Sequence, residues 1–322
     1  MKILVTGAAG FIGSHLAEKL SDLGHEVVGL DCFTPYYSRE LKILNTQNFK
    51  AKSIKLYELD LTSGNLLEAV NGVEVIYHLA GQPGITKSVA LDEYVKNNIW
   101  ATQGLINSVK ESQTLKMIVN ISTSSVYGQF AQGDEETAPK PTSYYGVTKL
   151  AAEQLLLAYQ RDRGLPACSM RLFSVYGERE RPEKVYPKLI KSILDVAEFP
   201  LREGSENHQR SYTYVGDIID GLVLVLDHLP ECVGEIFNLG TDQVTTTGEN
   251  IKVVEEVLGK KAKIKVVERQ PGDQERTSAN IAKAQRILGY SPKTTAREGL
   301  EKEALWYKET IWNKVTDLSY TT

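Results

Sequence analysis

Residues 3–13 read Ile-Leu-Val-Thr-Gly-Ala-Ala-Gly-Phe-Ile-Gly. A short apolar strand pattern over 2–6 runs into glycines spaced Gly7-x-x-Gly10-x-x-Gly13, and an apolar stripe at helical spacing continues from 11 to 23. Glycine permits a tight turn and lets backbone N–H groups approach a ligand, while the helix N-terminus beyond it favours negative charge. Glycines at this spacing are a weak signal alone; set between a strand and a helix they form the dinucleotide-binding arrangement. Asp31 closes the next strand pattern, 18 residues after Gly13. A carboxylate there accepts from both ribose hydroxyls and repels a 2′-phosphate, which predicts NAD rather than NADP. A structural turn without a ligand is the alternative reading.

Working outward, strand patterns at 2–6, 26–31, 54–58, 74–79, 116–122 and 167–172 alternate with helical patterns at 11–23, 64–70, 92–111 and 144–163. That order predicts an α/β protein with a doubly wound parallel sheet of the Rossmann type, and ligands at the carboxyl ends of the strands. After about residue 175 the alternation loosens. Helical patterns at 184–197, 216–229, 247–258 and 297–313 mix with strand patterns at 235–239 and 263–267, punctuated by Pro182, Pro187, Pro200, Pro271 and Pro292. We expect an NAD-binding domain over 1–175 and a smaller mixed α/β substrate lobe over 176–322, with 235–240 as a candidate to rejoin the main sheet.

Composition narrows the function classes. The 322 residues carry a net charge of −4, with Lys and Arg spread along the chain, so neither a nucleic-acid footprint nor a polybasic membrane anchor is expected. No apolar run approaches the roughly 18 residues of a membrane span, and the N-terminus has no signal-peptide layout. Cys32, Cys168 and Cys232 are isolated and lack metal-ligand spacing, so no metal site is expected and a reducing cytoplasm is.

Two further stretches carry chemistry. Residues 118–128, Ile-Val-Asn-Ile-Ser-Thr-Ser-Ser-Val-Tyr-Gly, end a strand pattern in four consecutive hydroxyls, Ser122, Thr123, Ser124 and Ser125. Residues 143–149 read Ser-Tyr-Tyr-Gly-Val-Thr-Lys at the start of a helical pattern. Tyr145 and Lys149 are four apart and share a face, so the ammonium is expected to favour the phenolate. Such a tyrosine takes a proton from a sugar hydroxyl while hydride leaves for NAD. A surface pair would look the same in isolation.

With Thr-Gly-Ala-Ala-Gly-Phe-Ile-Gly at 6–13, Tyr-His-Leu-Ala at 77–80, Ser-Thr-Ser-Ser-Val-Tyr-Gly at 122–128, Tyr-Gly-Val-Thr-Lys at 145–149 and Arg-Ser-Tyr-Thr-Tyr-Val at 210–215, the chain resembles the extended short-chain dehydrogenase/reductases. Its motifs look like those of the nucleotide-sugar epimerases over nearly the whole length. The resemblance implies NAD held by Gly7, Gly10, Phe11, Ile12, Gly13, Asp31, Asp60, Leu61, Leu79, Ala80, Tyr145 and Lys149. Asp60 reads equally as a helix N-cap. It implies catalysis by Thr123, Tyr145 and Lys149, with Lys149 lowering the pKa of Tyr145 and holding the nicotinamide ribose. It also implies a UDP-sugar substrate and a homodimer formed through the helices near 92–111 and 144–163.

The reaction class turns on Ser124 and Ser125. Related 4,6-dehydratases carry Asp-Glu after the threonine, and serine does not exchange protons near neutral pH without an activator, so that reaction is excluded. A 4-epimerase and a decarboxylase remain. Both pass a uronate through a β-keto acid, and an epimerase must hold the carboxylate away from the geometry in which carbon dioxide leaves. Short hydroxyl donors at Thr123, Ser124, Ser125 and Ser174 suit that task. Together with Arg171-Leu-Phe-Ser-Val-Tyr-Gly-Glu-Arg-Glu-Arg181-Pro, the hydroxyl row resembles the UDP-glucuronate 4-epimerases. The loop Ala80–Val89 is similar to UDP-glucose 4-epimerases instead, and an NAD- or nucleotide-sugar-sensing protein on the same fold is the non-enzyme alternative. The resemblance places Arg210 near the substrate pyrophosphate and Asp273 near the nucleoside ribose; both read otherwise as surface ion-pair partners. Arg181 completes the substrate set, with Lys188 a weaker phosphate candidate. His78 reads as a satisfied strand residue, Tyr127 as a packing residue and His208 as a surface residue.

Overall fold

The computed structural model describes residues 1–86, 88–268 and 276–321. Its main sheet contains β1 (Lys2–Thr6), β2 (Glu26–Asp31), β3 (Lys55–Glu58), β4 (Val75–His78), β5 (Met117–Thr123) and β6 (Ala167–Leu172). Later in the chain come β7 (Val175–Tyr176), β8 (Glu198–Arg202), β9 (Gln209–Arg210), β10 (Thr213–Tyr214), β11 (Ile236–Leu239), β12 (Thr245–Thr246), β13 (Lys263–Val267) and β14 (Arg276–Thr277). The sheet order is β11-β6-β5-β4-β1-β2-β3, and every pairing in it is parallel. The chain reverses direction of travel between β1 and β4, which opens a crevice at their carboxyl ends. β11 lies against β6, so the main sheet takes a strand from the second half of the chain.

Runs such as Ile3-Leu4-Val5 and Met117-Ile118-Val119 are buried on both faces, as a parallel sheet covered by helices requires. The covering helices include α1 (Phe11–Asp22), α2 (Arg39–Asn45), α3 (Leu67–Val70), α4 (Leu91–Tyr94), α5 (Ala101–Val109) and α6 (Tyr144–Arg163). A π-helical segment, Val95–Trp100, joins α4 to α5. Ser143 caps α6 by accepting the Gly146 N–H at 3.1 Å, and Gly164 ends it in the left-handed conformation. The remaining helices are α7 (Val185–Leu194), α8 (Val215–Leu224), α9 (Leu229–Cys232), α10 (Thr247–Leu258), α11 (Ala282–Leu288) and α12 (Ala296–Trp306).

Several elements differ from the sequence expectation. The pattern over 216–229 breaks into α8, a 3-10 turn and α9, because Pro230 starts a new helix. β8 carries Pro200 and pairs only with β13 among the described strands, an edge position where a missing N–H is tolerated. His208 is buried rather than at the surface, because its neighbours Gln209 and Arg210 form the middle strand of β12-β9-β14. The tail folds back on the first half: Tyr320 bridges Tyr37, and the Thr321 N–H donates to Tyr36 O at 2.8 Å. The Asp317 N–H donates to Glu40 Oε2 at 3.0 Å.

Candidate active site

One cleft runs along the carboxyl ends of the strands, from Asp31 past Gly10 and Thr123 to Arg210. At its cofactor end the turn after β1 is held tight. Gly7 has φ +70°, and a Cβ there would sit 2.8 Å from the Ala80 backbone nitrogen; a Cβ on Gly13 would fall 2.2 Å from Gly7 O. No side chain caps the first turn of α1, so its N–H groups face the cleft for an anion. Asp31 is buried and oriented from two sides: Oδ2 accepts the Ala9 N–H at 3.1 Å, and Oδ1 accepts the Phe33 N–H at 2.8 Å. The buried Lys42 ammonium lies 3.9 Å from Asp31 Oδ1 and donates to Thr34 O. Sequence reasoning missed Lys42, since α2 is only seven residues long and its pattern is too short to mark a helix.

Asp60 is not a helix N-cap, since the next helix, α3, begins at Leu67 and is preceded by Leu66. Its Oδ1 accepts the Thr62 N–H at 2.8 Å and the Thr62 hydroxyl at 2.7 Å, capping a turn, and the residue also lines the cleft. Phe11, Ile12, Leu61, Leu79 and Ala80 line the same wall.

The hydroxyl row meets the tyrosine midway along the cleft. Thr123 ends β5, where Oγ1 accepts the Ser125 N–H at 3.1 Å and donates to Ser125 Oγ at 3.2 Å. The Thr123 hydroxyl faces Tyr145 closely enough to act on its phenol. Burial raises the Tyr145 phenol above its usual range, while the Thr123 hydroxyl and the Arg181 charge pull the other way. Lys149 is buried and brought down to about 8 by desolvation, with Glu153 acting against that. Lys149 is therefore charged below about 8 and neutral above it. In the cofactor-free cleft, the cation acting on Tyr145 is Arg181.

Asn98, which sequence reasoning also missed, sits in the π-helical segment; its Oδ1 accepts the Gln82 N–H at 2.8 Å and its Nδ2 donates to Thr148 at 2.9 Å. It ties the loop after β4 to α6 one residue before Lys149. His78 bridges Thr6 and Thr102 at 2.9 Å each, and burial brings it down to about 3, so it is a neutral strand residue. Tyr127 packs against Phe173 and bonds Asn238 and Arg171.

At the far end, Ser124, Ser125, Ser174, Arg181, Lys184 and Arg210 face the same space. Arg181 Nη1 lies 3.2 Å from Glu183, and its guanidinium lies over the Tyr36 ring. Arg179 turns away and binds both Glu18 oxygens at 3.0 Å, anchoring α1. Lys188 lies over the Tyr320 ring rather than in the cleft wall. Asp273 lies outside the described residues. Among the described residues no cluster suits a metal ion, and no helix is long and apolar enough to cross a membrane.

The sequence profile of the NAD dependent epimerase/dehydratase family matches residues 3–240. The chain belongs to that family. The glycine cradle, the uncapped α1 N-terminus and the doubly oriented Asp31 fit its cofactor, NAD, as a donor and acceptor set. Among curated relatives of this family member, YtcB of Bacillus subtilis, described as an uncharacterised UDP-glucose epimerase, is 37% identical over 94% of this chain and 96% of its own. UDP-glucuronate 4-epimerase 6 of Arabidopsis thaliana is 32% identical, covering 95% of this chain and 71% of its own. Among solved structures, the UDP-glucuronic acid 4-epimerase of Bacillus cereus, in complex with UDP-glucuronic acid and NAD, matches with a TM-score of 0.91 and 37% identity over 96% of this chain and 99% of that one.

Proposed function

We propose that this protein is an NAD-dependent nucleotide-sugar 4-epimerase that acts on a UDP-uronic acid, interconverting UDP-glucuronate and UDP-galacturonate. The observation that carries the reading is the hydroxyl floor: Tyr145 and Thr123 share the cleft, and the next two positions are Ser124 and Ser125 rather than an acid–base pair. Tyr145 takes the proton from the C4 hydroxyl and returns it; Thr123 orients that hydroxyl. NAD, when bound, supplies a reversible acceptor for the C4 hydride. Gly7, Gly10, Gly13, Asp31 and Lys149 would hold it. Ser124, Ser125 and Ser174 donate to the uronate carboxylate and keep the C5–C6 bond out of alignment with the transient 4-ketone. Arg181 and Arg210 supply positive charge for the anionic substrate, and Asp273 is assigned to the nucleoside ribose by family resemblance alone.

The similarity to the Bacillus cereus enzyme and to the Arabidopsis enzymes supports the uronate reading. The similarity to YtcB, described as a UDP-glucose epimerase, supports a second one, UDP-glucose as substrate. Incubation of purified protein with UDP-glucuronate and, separately, UDP-glucose, followed by NMR of the products, separates them. UDP-galacturonate from the first is the expected result. UDP-pentose with released carbon dioxide would make the protein a decarboxylase, and turnover of UDP-glucose alone would remove the uronate. A homodimer belongs to the same reading, supported by the exposed Leu91, Trp100, Tyr144 and Val147 on α4, the π-helical segment and α6. So does a cytoplasmic setting, supported by the free thiols Cys32, Cys168 and Cys232.

A further inference from the structure

Two carboxyls with no part in this chemistry lie side by side behind the wall of the cleft. Glu180 belongs to the segment between β7 and α7, and Glu303 to the middle of α12. They are 8% and 1% exposed. The two carboxyls lie close enough that each acts on the titration of the other. Glu180 Oε2 and both Glu303 oxygens meet no donor in good hydrogen-bond geometry, although the Gly177 N–H faces Glu303. Two ionised carboxylates do not persist in such a place, since burial and mutual repulsion both disfavour the second charge. One retained proton makes one carboxyl an O–H donor and the other its acceptor.

The surroundings are asymmetric. Lys184 and Arg181 on its own segment favour ionisation of Glu180, and Glu183 opposes it. Glu178 and Glu180 both oppose ionisation of Glu303. The rings of Tyr176, Tyr186 and Tyr214 feel the pair from the other packed elements. Desolvation outweighs the cations, and both carboxyls titrate above their usual range. Glu180 also borders a second, small cavity together with Tyr37, Arg179 and Tyr307, so it is the partition between the cleft and the packing against the C-terminal helix.

We propose that Glu180 and Glu303 share a proton and act as positioning residues, their O–H···O bond tying segment 178–184 to α12 so that Arg181 and Lys184 are presented to the anionic nucleotide part of the substrate. The proposal rests on the substrate reading above. Loss of the shared proton sets two negative charges against each other, moves the segment off α12 and weakens the grip on anions.

The test titrates UDP into the protein by calorimetry from pH 6.5 to 9.5, for the wild type, Glu303→Gln and the reciprocal Glu180→Gln. UDP avoids the proton transfer at Tyr145. The wild-type Kd is expected to rise on the alkaline side by up to about tenfold per pH unit beyond the pair's last ionisation. An amide donates to the remaining carboxylate without a proton to lose, so either variant should retain neutral-pH affinity and show a flat alkaline limb. The same alkaline loss in both variants, as discharge of Lys184 would give, overturns the proposal. Urea denaturation supplies a readout without ligand. Because the folded pair holds protons that the unfolded chain releases near pH 4, wild-type stability should fall as pH rises from 5 to 8, and Glu303→Gln should fall less. Equal falls overturn the pair. Absence of UDP binding at every pH would count against the substrate reading instead, and the urea comparison would still decide on the shared proton.

Discussion

Glu153 and Arg171 meet through two hydrogen bonds, Nε to Oε2 at 3.1 Å and Nη2 to Oε1 at 2.6 Å, one turn of α6 beyond Lys149. Both side chains are buried, and Ser169 and Tyr127 complete the network. Breaking such a pair strands the surviving charge, which costs about 3–5 kcal/mol. Glu153→Leu is therefore expected to lower stability by that amount in urea denaturation. Replacing both residues by apolar ones of similar size should recover most of the loss.

Tyr145→Phe removes the proton carrier and leaves the ring that fills the wall. Turnover should disappear, while NAD released by acid from the purified protein stays near one equivalent of the wild-type content. Thr123→Val, which keeps the shape and removes the hydroxyl, is expected to lower kcat by about 10²–10⁴, the range general acid–base contributions span.

Asp31 governs cofactor choice. Asp31→Asn keeps the size but removes the charge that repels a 2′-phosphate. NAD affinity of stripped protein should fall about 10–100-fold, as expected for losing hydrogen bonds to a charged group. The discrimination against NADP should narrow at the same time. Competition binding with the two dinucleotides measures both.

Lys149 gives NAD binding a pH dependence with a defined sign. Burial lowers it to about 8, so it is charged below that pH and neutral above. Ribose hydroxyls favour the charged donor, so NAD affinity of stripped protein should be flat below about pH 8. It should fall by up to about tenfold per unit above it. Lys149→Met should bind weakly at every pH with no alkaline limb.

Ser125→Ala tests protection of the carboxylate. With UDP-glucuronate as substrate, the variant should release more carbon dioxide per epimerisation than the wild type, read by trapping labelled gas beside product NMR. An unchanged ratio would assign the protective role to Ser124 or Ser174.

The parallel sheet was legible because its strands are continuous apolar runs and its first turn is spelled in glycines. Asp31, Thr123 and the glycine turn converge on the cleft because they stand at strand ends, which the topology gathers, and Tyr145 and Lys149 reach it from the first turns of α6. What the sequence concealed is what tertiary packing creates. Lys42 looks like any surface cation until α2 closes over Asp31, and Glu180 looks like part of a solvated charge run until α12 buries it. Helix α2 and strand β8 escaped notice because one is seven residues long and the other contains Pro200.

The return of residues 316–321 onto Tyr36, Tyr37 and Glu40 bears on what counts as a self-sufficient unit of this protein. A fragment cut at residue 240 would keep the glycine turn, Asp31, the hydroxyl row and Tyr145. It would nevertheless lack the backbone partners that hold Tyr36 and Tyr37, two residues of the cleft wall. During synthesis the same wall stays open until residues 316–321 have emerged, so tight capture of the dinucleotide is expected only after that segment has folded back. Substitutions within 316–321 would then be felt first as leakage of cofactor, far along the sequence from the glycines that bind it.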